Sequence, residues 1–243
     1  MFADRHYFFV WLALLALLAQ PVQAIKKISV VGSINADTFL HVQRIPVEGE
    51  NLTCDREPTV DVVGGKGCTQ AIAASKLVLH NKNAIRVAFA CRLGNDPVAK
   101  ALHQVLVSAQ LDLSASKSAS SVASGRGYVF LTASGQVSAV VSGGSNQYGW
   151  NEWKESWDVY KEDSAAKLAV DHEIKQILDE CQCLMLQREI PEYVNELLAA
   201  KARERGHIIV LQDVGGEDRP MTSEHMRNCD YLIPNETELY RLV

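Results

Sequence analysis

Two short polar segments near the start of the chain carry residues that suit a polyhydroxylated ligand. Asn35 and Asp37 stand two apart after the apolar run 28–31, and Gly64 and Gly65 precede a helix-like stretch. A carboxylate accepts hydrogen bonds from neighbouring hydroxyls, while an amide both donates and accepts. Glycine lets the backbone approach a ligand closely or adopt a positive φ. These residue types predict a sugar site, and a Gly-rich turn that caps a helix is the alternative interpretation of the two glycines.

The same residues do not fit the common phosphate-binding loops. A Walker A loop needs Ser or Thr after its lysine, but Lys66 is followed by Gly67, and Val60 stands where its first glycine would be. The dinucleotide fingerprint needs a third glycine, whereas residues 68–70 are Cys, Thr and Gln. Both of these nucleotide-binding motifs are therefore excluded at this position.

Apolar, β-branched runs alternate with segments of helical period along most of the chain. This alternation predicts an α/β fold in which a mainly parallel sheet is flanked by helices. The predicted strands are 28–31, 86–90, 183–186, 208–211 and 231–233. The predicted helices are 69–80, 97–109, 165–180 and 192–205. In an open sheet of this kind, ligands bind beyond the carboxyl ends of the strands, which is where residues 32–37 fall.

Two regions interrupt the alternation of strands and helices. Residues 38–63 and 128–141 contain extended, partly alternating stretches. The triplet 134–136, Ser-Gly-Gln, predicts a hairpin turn within the second region.

Composition and charge indicate a protein with a small-molecule partner. The chain has 243 residues, of which 47% are apolar, so it can bury one sizeable core, and one domain is the better estimate. The net charge of -5 and the pI near 5.8 argue against a nucleic-acid or anionic membrane surface. The six cysteines are scattered through predicted strands and helices, which is typical of buried small residues rather than of a disulfide framework.

Residues 1–24 predict a secretory signal. Arg5 and His6 precede the apolar run 7–19, and small residues at 22–24 suit a cleavage site. The run has 13 residues, fewer than the roughly 20 that cross a bilayer as a helix. The prediction is a secretory location if this segment acts as a signal and a cytoplasmic one otherwise, and an uncleaved anchor or a mistaken start site are the alternatives.

Four motifs in one order resemble the successive signatures of ribokinase, in the PfkB family of sugar kinases. They are GSINAD at 32–37, GGKG at 64–67 with Gln-Ala at 70–71, LQREIP at 186–191, and PNETE at 234–238. The resemblance extends over residues 26–243 and implies a three-layer, ribokinase-like fold. It also implies that regions 38–63 and 128–141 form a small β-sheet lid over the sugar, and a homodimer contact through that lid.

The resemblance implies an ATP-dependent kinase that transfers the γ-phosphate to a pentose hydroxyl, converting ribose to ribose 5-phosphate, with Mg²⁺ as cofactor. It places Asn35, Asp37, Gly64, Gly65 and Lys66 in the sugar pocket. Glu189 would reach another hydroxyl, although an exposed carboxylate before a turn proline is the interpretation without the resemblance.

One departure concerns the identity of the sugar. Ribokinases typically carry GGKGANQA, and this chain has Cys68 and Thr69 in place of Ala-Asn. Thr69 is counted among the substrate-binding residues, but its shorter hydroxyl replaces an amide. A lost hydrogen bond typically weakens binding by about 1 kcal/mol. Ribose preference is therefore less secure than sugar binding.

The nucleotide half of the site is represented by one motif. Asn235 and Glu238 resemble the family pair that orders the phosphates of ATP and binds Mg²⁺ through water. Their spacing is also that of a capping box, and both interpretations can hold together.

The catalytic base is predicted to lie beyond Val243. The family places it in a GAGD motif at a helix N-terminus, and this sequence contains none; residues 215–218, Gly-Gly-Glu-Asp, are followed by Arg-Pro and predict a loop. Residues 25–243 are thus interpreted as a ribokinase-like domain without its C-terminal part, inactive as given. A non-catalytic sugar-binding or regulatory protein is the alternative function.

Overall fold

The computed structural model describes residues 26–78, 85–158, 165–216 and 219–242. The strands in these ranges are β1 Lys27–Val31, β2 Asn35–Val42, β3 Thr59–Gly64, β4 Arg86–Ala90, β5 Arg92–Leu93, β6 Lys117–Ser118, β7 Gly125–Thr132, β8 Val137–Ser142, β9 Cys183–Leu186, β10 Ile209–Asp213 and β11 Tyr231–Ile233. The helices are α1 Lys66–Val78, α2 Pro97–Ser108, α3 Ser145–Tyr148, α4 Asn151–Asp158, α5 Ala165–Leu178, α6 Glu192–Arg205, α7 Ser223–Asn228 and α8 Glu236–Leu242.

A parallel sheet forms the centre of the molecule. Within the described ranges its strand order is β11-β10-β9-β1-β4, and each neighbouring pair is parallel. All residues of β1 and β9 are buried. Strands that are covered on both faces need apolar side chains on both, so continuous apolar runs such as 28–31 suit this sheet. The predicted α/β fold is confirmed.

Helices cover both faces of the sheet and form two apolar cores. On one face Ile28 shares a core with Leu102 of α2 and with side chains of α1. On the other face Val31 shares a core with Ile177 of α5 and Leu198 of α6. Because successive side chains of a strand point to opposite faces, β1 contributes to both cores. The result is the expected arrangement of three layers.

A second sheet is mixed. In the described chain its order is β3-β2-β7-β8, with β2 and β7 parallel in the centre and antiparallel pairs on either side. The predicted turn at 134–136 joins β7 to β8 as a hairpin, with Gly135 at a φ of 82°. This sheet begins earlier than region 38–63, because β2 starts at Asn35. Asn35 and Asp37 are therefore strand residues and not part of a loop after β1.

Helix α1 starts before the predicted position 69, at Lys66. The cause lies far away in the sequence: the Lys66 backbone N–H donates to the Glu189 carboxylate, and that of Gly67 donates to Ser33 Oγ. Side-chain acceptors at the first turn stabilise a helix N-terminus. By contrast, α6 spans 192–205 as its sequence predicts.

The six cysteines, all within the described ranges, are free thiols. Four of them are buried, and burial raises the pKa of Cys68 to about 12. Among the described residues, no helix has the length and apolar character needed to cross a membrane. The predicted signal segment 1–24 lies outside the described residues.

Candidate functional site

The order of the parallel strands creates a crevice beside β1. The chain places β4 on one side of β1 and later places β9, β10 and β11 on the other side. Ligands of open α/β sheets bind where the strand order reverses in this way, outside the carboxyl ends of the strands. Segments 32–34, 187–191 and 214–216 leave the sheet at this edge.

A cavity of about 550 Å³ lies here, bounded by residues of the mixed sheet, α1 and the segments that follow β9 and β10. This volume is in the range of small-molecule sites. The seven residues predicted to contact the substrate all line it: Asn35, Asp37, Gly64, Gly65, Lys66, Thr69 and Glu189. Gln70, Gly127 and Asp213 also line it, and the sequence analysis did not assign them to the site. The structure thus brings together residues from motifs that are far apart in the chain.

Asp37 places a carboxylate with an unused acceptor in the cavity wall. It pairs with Val62 of β3 and Gly127 of β7, and a Cβ at Gly64 or Gly127 would clash with its carboxylate oxygens. Oδ1 is buried and has no hydrogen-bond partner among the described residues. Burial, and then the negative charge of Glu189, raises the pKa of Asp37. Because Asp37 lines the cavity, this oxygen is available to a donor on a ligand.

Asn35 is held by a residue that the sequence analysis missed. Asn146 Nδ2 donates to Asn35 Oδ1 at 2.7 Å and to the Ile34 carbonyl at 3.0 Å, while Ile34 N–H donates to Asn146 Oδ1. Both asparagines are buried. The oxygen of Asn35 is thus already engaged, so its N–H groups are what it offers to a ligand. Asn146 lies in the short helix α3, and no motif singled it out.

Glu189 contributes to the site and also caps helix α1. Its Oε2 accepts from Ser33 Oγ at 2.6 Å and from the Lys66 backbone N–H at 2.9 Å. A carboxylate at this position also complements the helix dipole. The side chain is in part buried, so the alternative of an exposed carboxylate before a proline is wrong. Its other oxygen, Oε1, is the one left for a ligand.

Lys66 supplies a cation at the cavity wall. Its Nζ donates to Asp213 Oδ1 at 3.2 Å, and a Cβ at Gly215 would clash with both Lys66 Nζ and Glu238 Oε1. Burial of Lys66 disfavours its charge, but the carboxylates of Asp213, Glu238 and Glu189 outweigh burial and raise the pKa of the ammonium. Lys66 is therefore charged at neutral pH.

Asp213 is the main site residue that sequence reasoning missed. Gln70 Nε2 donates to its Oδ2 at 3.2 Å, and the Gly215 N–H donates to its Oδ1 at 2.8 Å. The signal that could have found it is its position, because it follows the predicted strand 208–211 at the same edge of the sheet. Residues 215 and 216 form a turn, as predicted, and residues 217–218 lie outside the described residues.

Asn235 and Glu238 form a reciprocal capping box at the start of α8. Asn235 N–H donates to Glu238 Oε2 and Glu238 N–H donates to Asn235 Oδ1, both at 2.8 Å. The capping interpretation is confirmed. Across the described ranges, no group of three or more His, Cys, Asp or Glu side chains is arranged to hold a metal ion. Glu238 Oε1 remains beside Lys66, and a single carboxylate oxygen suits a cation such as Mg²⁺ that keeps most of its waters.

Comparison with known proteins identifies the family. Residues 25–243 match the model of the pfkB family carbohydrate kinase. The chain belongs to the pfkB family. This family member is 33% identical to a ribokinase of Arabidopsis thaliana over 88% of its length, and 27% identical to a ribokinase of Haemophilus influenzae over 88%. It spans 50% and 61% of those two relatives.

A solved structure agrees with this assignment. The structure of Arabidopsis thaliana ribokinase in complex with ribose and ATP superposes with a TM-score of 0.68 at 31% identity. The alignment covers 90% of this pfkB family member and 63% of the solved chain. The predicted ribokinase-like fold is therefore confirmed.

Proposed function

We propose that this protein is a ribokinase-type sugar kinase that binds a pentose, ribose in the first instance, in the cavity between the mixed sheet and the parallel sheet. The reaction is transfer of the γ-phosphate of ATP to a sugar hydroxyl, which yields ribose 5-phosphate. The observation that carries this proposal is the half-buried Asp37 carboxylate, whose buried Oδ1 has no hydrogen-bond partner among the described residues and which lies in one cavity with Asn35, Lys66 and Glu189.

The chemistry of this donor and acceptor set suits a sugar. Asp37 and Glu189 offer carboxylate oxygens to hydroxyl donors, whereas Asn35 and Lys66 offer N–H donors to hydroxyl oxygens. These four side chains come from different sides of the cavity, so the hydroxyls of one small sugar ring can form hydrogen bonds with several of them at once. Apolar side chains of the mixed sheet, such as Val129 and Ala139, line the same cavity and would cover a bound sugar. We assign this sheet the role of lid, which limits the access of water.

ATP and Mg²⁺ are proposed as co-substrate and cofactor. Glu238 would hold Mg²⁺ through water, and Asn235 fixes the orientation of Glu238 through the capping box. Magnesium, when bound, neutralises charge on the transferring phosphate. Lys66 lines the sugar cavity and also lies beside Glu238, so it connects the cavity with the proposed Mg²⁺ and phosphate region. The base that takes the proton of the sugar hydroxyl remains a prediction for a segment beyond Val243.

Calorimetric titration of the 243-residue chain with ribose and other sugars, with and without ATP and Mg²⁺, tests the proposal. We expect saturable heat with a pentose, and its loss in the Asp37→Asn variant. Asp230→Asn is the control, because Asp230 does not line the cavity. Absence of binding to every sugar tested would overturn the proposed function.

The predicted lack of turnover and the alternative function are tested with the same protein. A kinase assay measures phosphorylation of ribose by the purified chain against a blank without protein. We expect sugar binding with no turnover, a result that the alternative, a sugar-binding or regulatory role, also predicts. Turnover above the blank would contradict the prediction that the chain is inactive.

Homodimerisation through the mixed sheet is proposed for its exposed face. Tyr128 and Val140 pair across β7 and β8 and are 41% and 64% exposed. Exposed apolar side chains that cluster on a sheet favour association. Sedimentation of the wild-type chain and of Val140→Lys tests this, and a monomeric wild type would contradict it.

The cellular location is proposed from residues 1–24. We propose secretion if this segment acts as a signal and cytoplasmic residence if it does not. Expression of the full chain with a C-terminal tag, followed by N-terminal sequencing, distinguishes the two.

A further inference from the structure

The carboxylate of Asp213 is held more completely than the other carboxylates of the cavity. Its side chain is 15% exposed and lines the cavity. Oδ1 accepts from Lys66 Nζ and from the Gly215 N–H, and Oδ2 accepts from Gln70 Nε2. These donors come from α1 and from the turn after β10. Because they approach from two sides, they fix the orientation of the carboxylate plane.

A buried amide keeps the donor on Oδ2 in place. Gln187 Nε2 donates to Gln70 Oε1 at 2.8 Å, and Asn195 Nδ2 donates to the backbone carbonyl of Gln187. Since the Gln70 oxygen is occupied, its N–H group is oriented toward Asp213. Gln187 is fully buried and Gln70 is 7% exposed, so this chain of hydrogen bonds is shielded from water. The hydrogen bond from Gln187 therefore restricts the rotation of the Gln70 amide.

An ion pair with Lys66 alone does not require this arrangement. A carboxylate that only balances a lysine needs one oxygen, and its second oxygen can turn to solvent. Here the second oxygen is fixed by Gln70 at the cavity wall. An ionised carboxylate has about four acceptor positions. Three are used among the described residues, which leaves capacity for a further donor.

We propose that Asp213 is a specificity-determining residue of the sugar cavity, which accepts a hydrogen bond from one particular hydroxyl of the ligand and positions the Lys66 ammonium beside it. This inference rests on the proposed function and deepens it. A site built around a fixed acceptor rejects an analogue without the matching hydroxyl, because the acceptor is then left unpaired.

The test measures the affinity of wild type and Asp213→Asn for ribose and for its 2-deoxy, 3-deoxy and 5-deoxy analogues by calorimetry. We expect Asp213→Asn to weaken ribose binding by about tenfold or more, because a hydrogen bond to a charged group is lost. Wild type should bind one of the three analogues as weakly as the variant binds ribose. For that analogue the variant and the wild type should bind nearly equally.

The positioning of Lys66 has a separate readout in the pH profile. Asp213, Glu189 and Glu238 are the carboxylates that face Lys66, and removal of the Asp213 charge lowers the pKa of the ammonium. The loss of ribose affinity at alkaline pH should therefore begin at a lower pH in Asp213→Asn than in wild type. If Asp213 had only a structural role, the pH at which ribose affinity is lost would be the same in the variant and in wild type.

Asp230→Asn is the matched control. Asp230 Oδ2 accepts from the Val210 N–H at 2.8 Å, so it binds the same strand, β10, near its other end and outside the cavity. It should leave all four affinities unchanged. If Asp213→Asn does not fold, Gln70→Leu replaces it, and it should reduce discrimination among the four sugars.

The outcomes separate the two proposals. If wild type binds ribose but the variant weakens all four sugars by the same factor, Asp213 has no selective contact and the inference is wrong. If wild type binds no sugar at all, the proposed function fails, and the inference fails with it.

Discussion

Two of the charged clusters in the described part of this protein, one around Arg92 and one around Lys66, differ in how completely their hydrogen bonds are satisfied. Around Arg92, the guanidinium donates to Glu173 Oε1 at 2.6 Å and to the Gly149 carbonyl at 2.9 Å. Glu173 Oε2 accepts from Trp153 Nε1 and from Lys117 Nζ. The Arg92 and Glu173 side chains are 2% and 1% exposed, so this ion pair is closed to solvent, and Lys117 lies at its edge.

The cavity cluster around Lys66 is open and less completely paired. Asp37 Oδ1 is buried without a partner among the described residues, and the Asp37 pKa is raised by burial and by Glu189. A structural cluster uses all its acceptors internally, because an unpaired buried one is costly. Charge alone therefore does not distinguish the two clusters; the unpaired acceptor at the cavity wall does.

The largest expected effect breaks the closed cluster. Glu173→Gln should lower the free energy of unfolding by about 3–5 kcal/mol, because the buried Arg92 guanidinium loses its counterion. Urea denaturation followed by tryptophan fluorescence measures this.

Glu180→Gln is the control for that experiment, since Glu180 pairs with Arg86 at the surface at 3.1 Å. We expect it to change stability by less than about 1 kcal/mol. Equal losses in both variants would mean that the buried cluster is no different from a surface pair.

The next effect removes the unpaired acceptor of the open cluster. Asp37→Asn should weaken ribose binding by about tenfold to hundredfold, because a charged acceptor becomes a neutral amide. The stability of the unliganded protein should not decrease, since the burial of this charge is unfavourable. Calorimetry and thermal denaturation measure the two quantities.

The control is Asp61→Asn, a change in the same sheet outside the cavity. Asp61 has a φ of 53°, which asparagine tolerates. A loss of stability in Asp37→Asn without loss of affinity would place Asp37 with the structural cluster.

The pH dependence sharpens the same distinction. The pKa of Asp37 is raised from 3.8. Ribose affinity should therefore fall with pH once the pH drops below that raised pKa, by about tenfold per unit. The sign for stability is opposite: the cost of the buried charge is present above the raised pKa and is relieved as the pH falls through it.

Titration calorimetry between about pH 4 and 7 measures this limb in affinity. Asp37→Asn should lack it. If ribose affinity falls at low pH in Asp37→Asn as it does in wild type, the group that titrates is not Asp37.

The smallest effect concerns the capping box. Asn235→Ala should lower stability by about 1 kcal/mol, because the N-cap of α8 loses its acceptor. Sugar affinity should stay the same. Asn235→Asp retains an acceptor and is the control. A fall in ribose affinity in Asn235→Ala would mean that Asn235 and Glu238 contribute to sugar binding as well as to the cap of α8.

Much of the fold follows from local patterns. Strands 86–90, 183–186 and 231–233 and helix 192–205 occur at their predicted positions, because apolar runs and helical period act over a few residues. The seven predicted substrate contacts share one cavity because they stand in motifs beside the ends of strands.

Other features depend on contacts that no local pattern contains. The start of α1 depends on Glu189, which accepts from Lys66 N–H across 123 residues of sequence. The side-chain oxygen of Asn35 accepts from Asn146, which lies 111 residues away. Asp213 lies two residues beyond the predicted strand 208–211, and its contact with Lys66 depends on α1 and β10 meeting.

By itself, therefore, the sequence determined the family resemblance, the class of fold and the residue types of the site. Only the tertiary structure decided which oxygen and nitrogen atoms of those residues are already used and which remain for a ligand. The physical reason is that hydrogen bonds saturate: each acceptor is available only if no other part of the folded chain has reached it first.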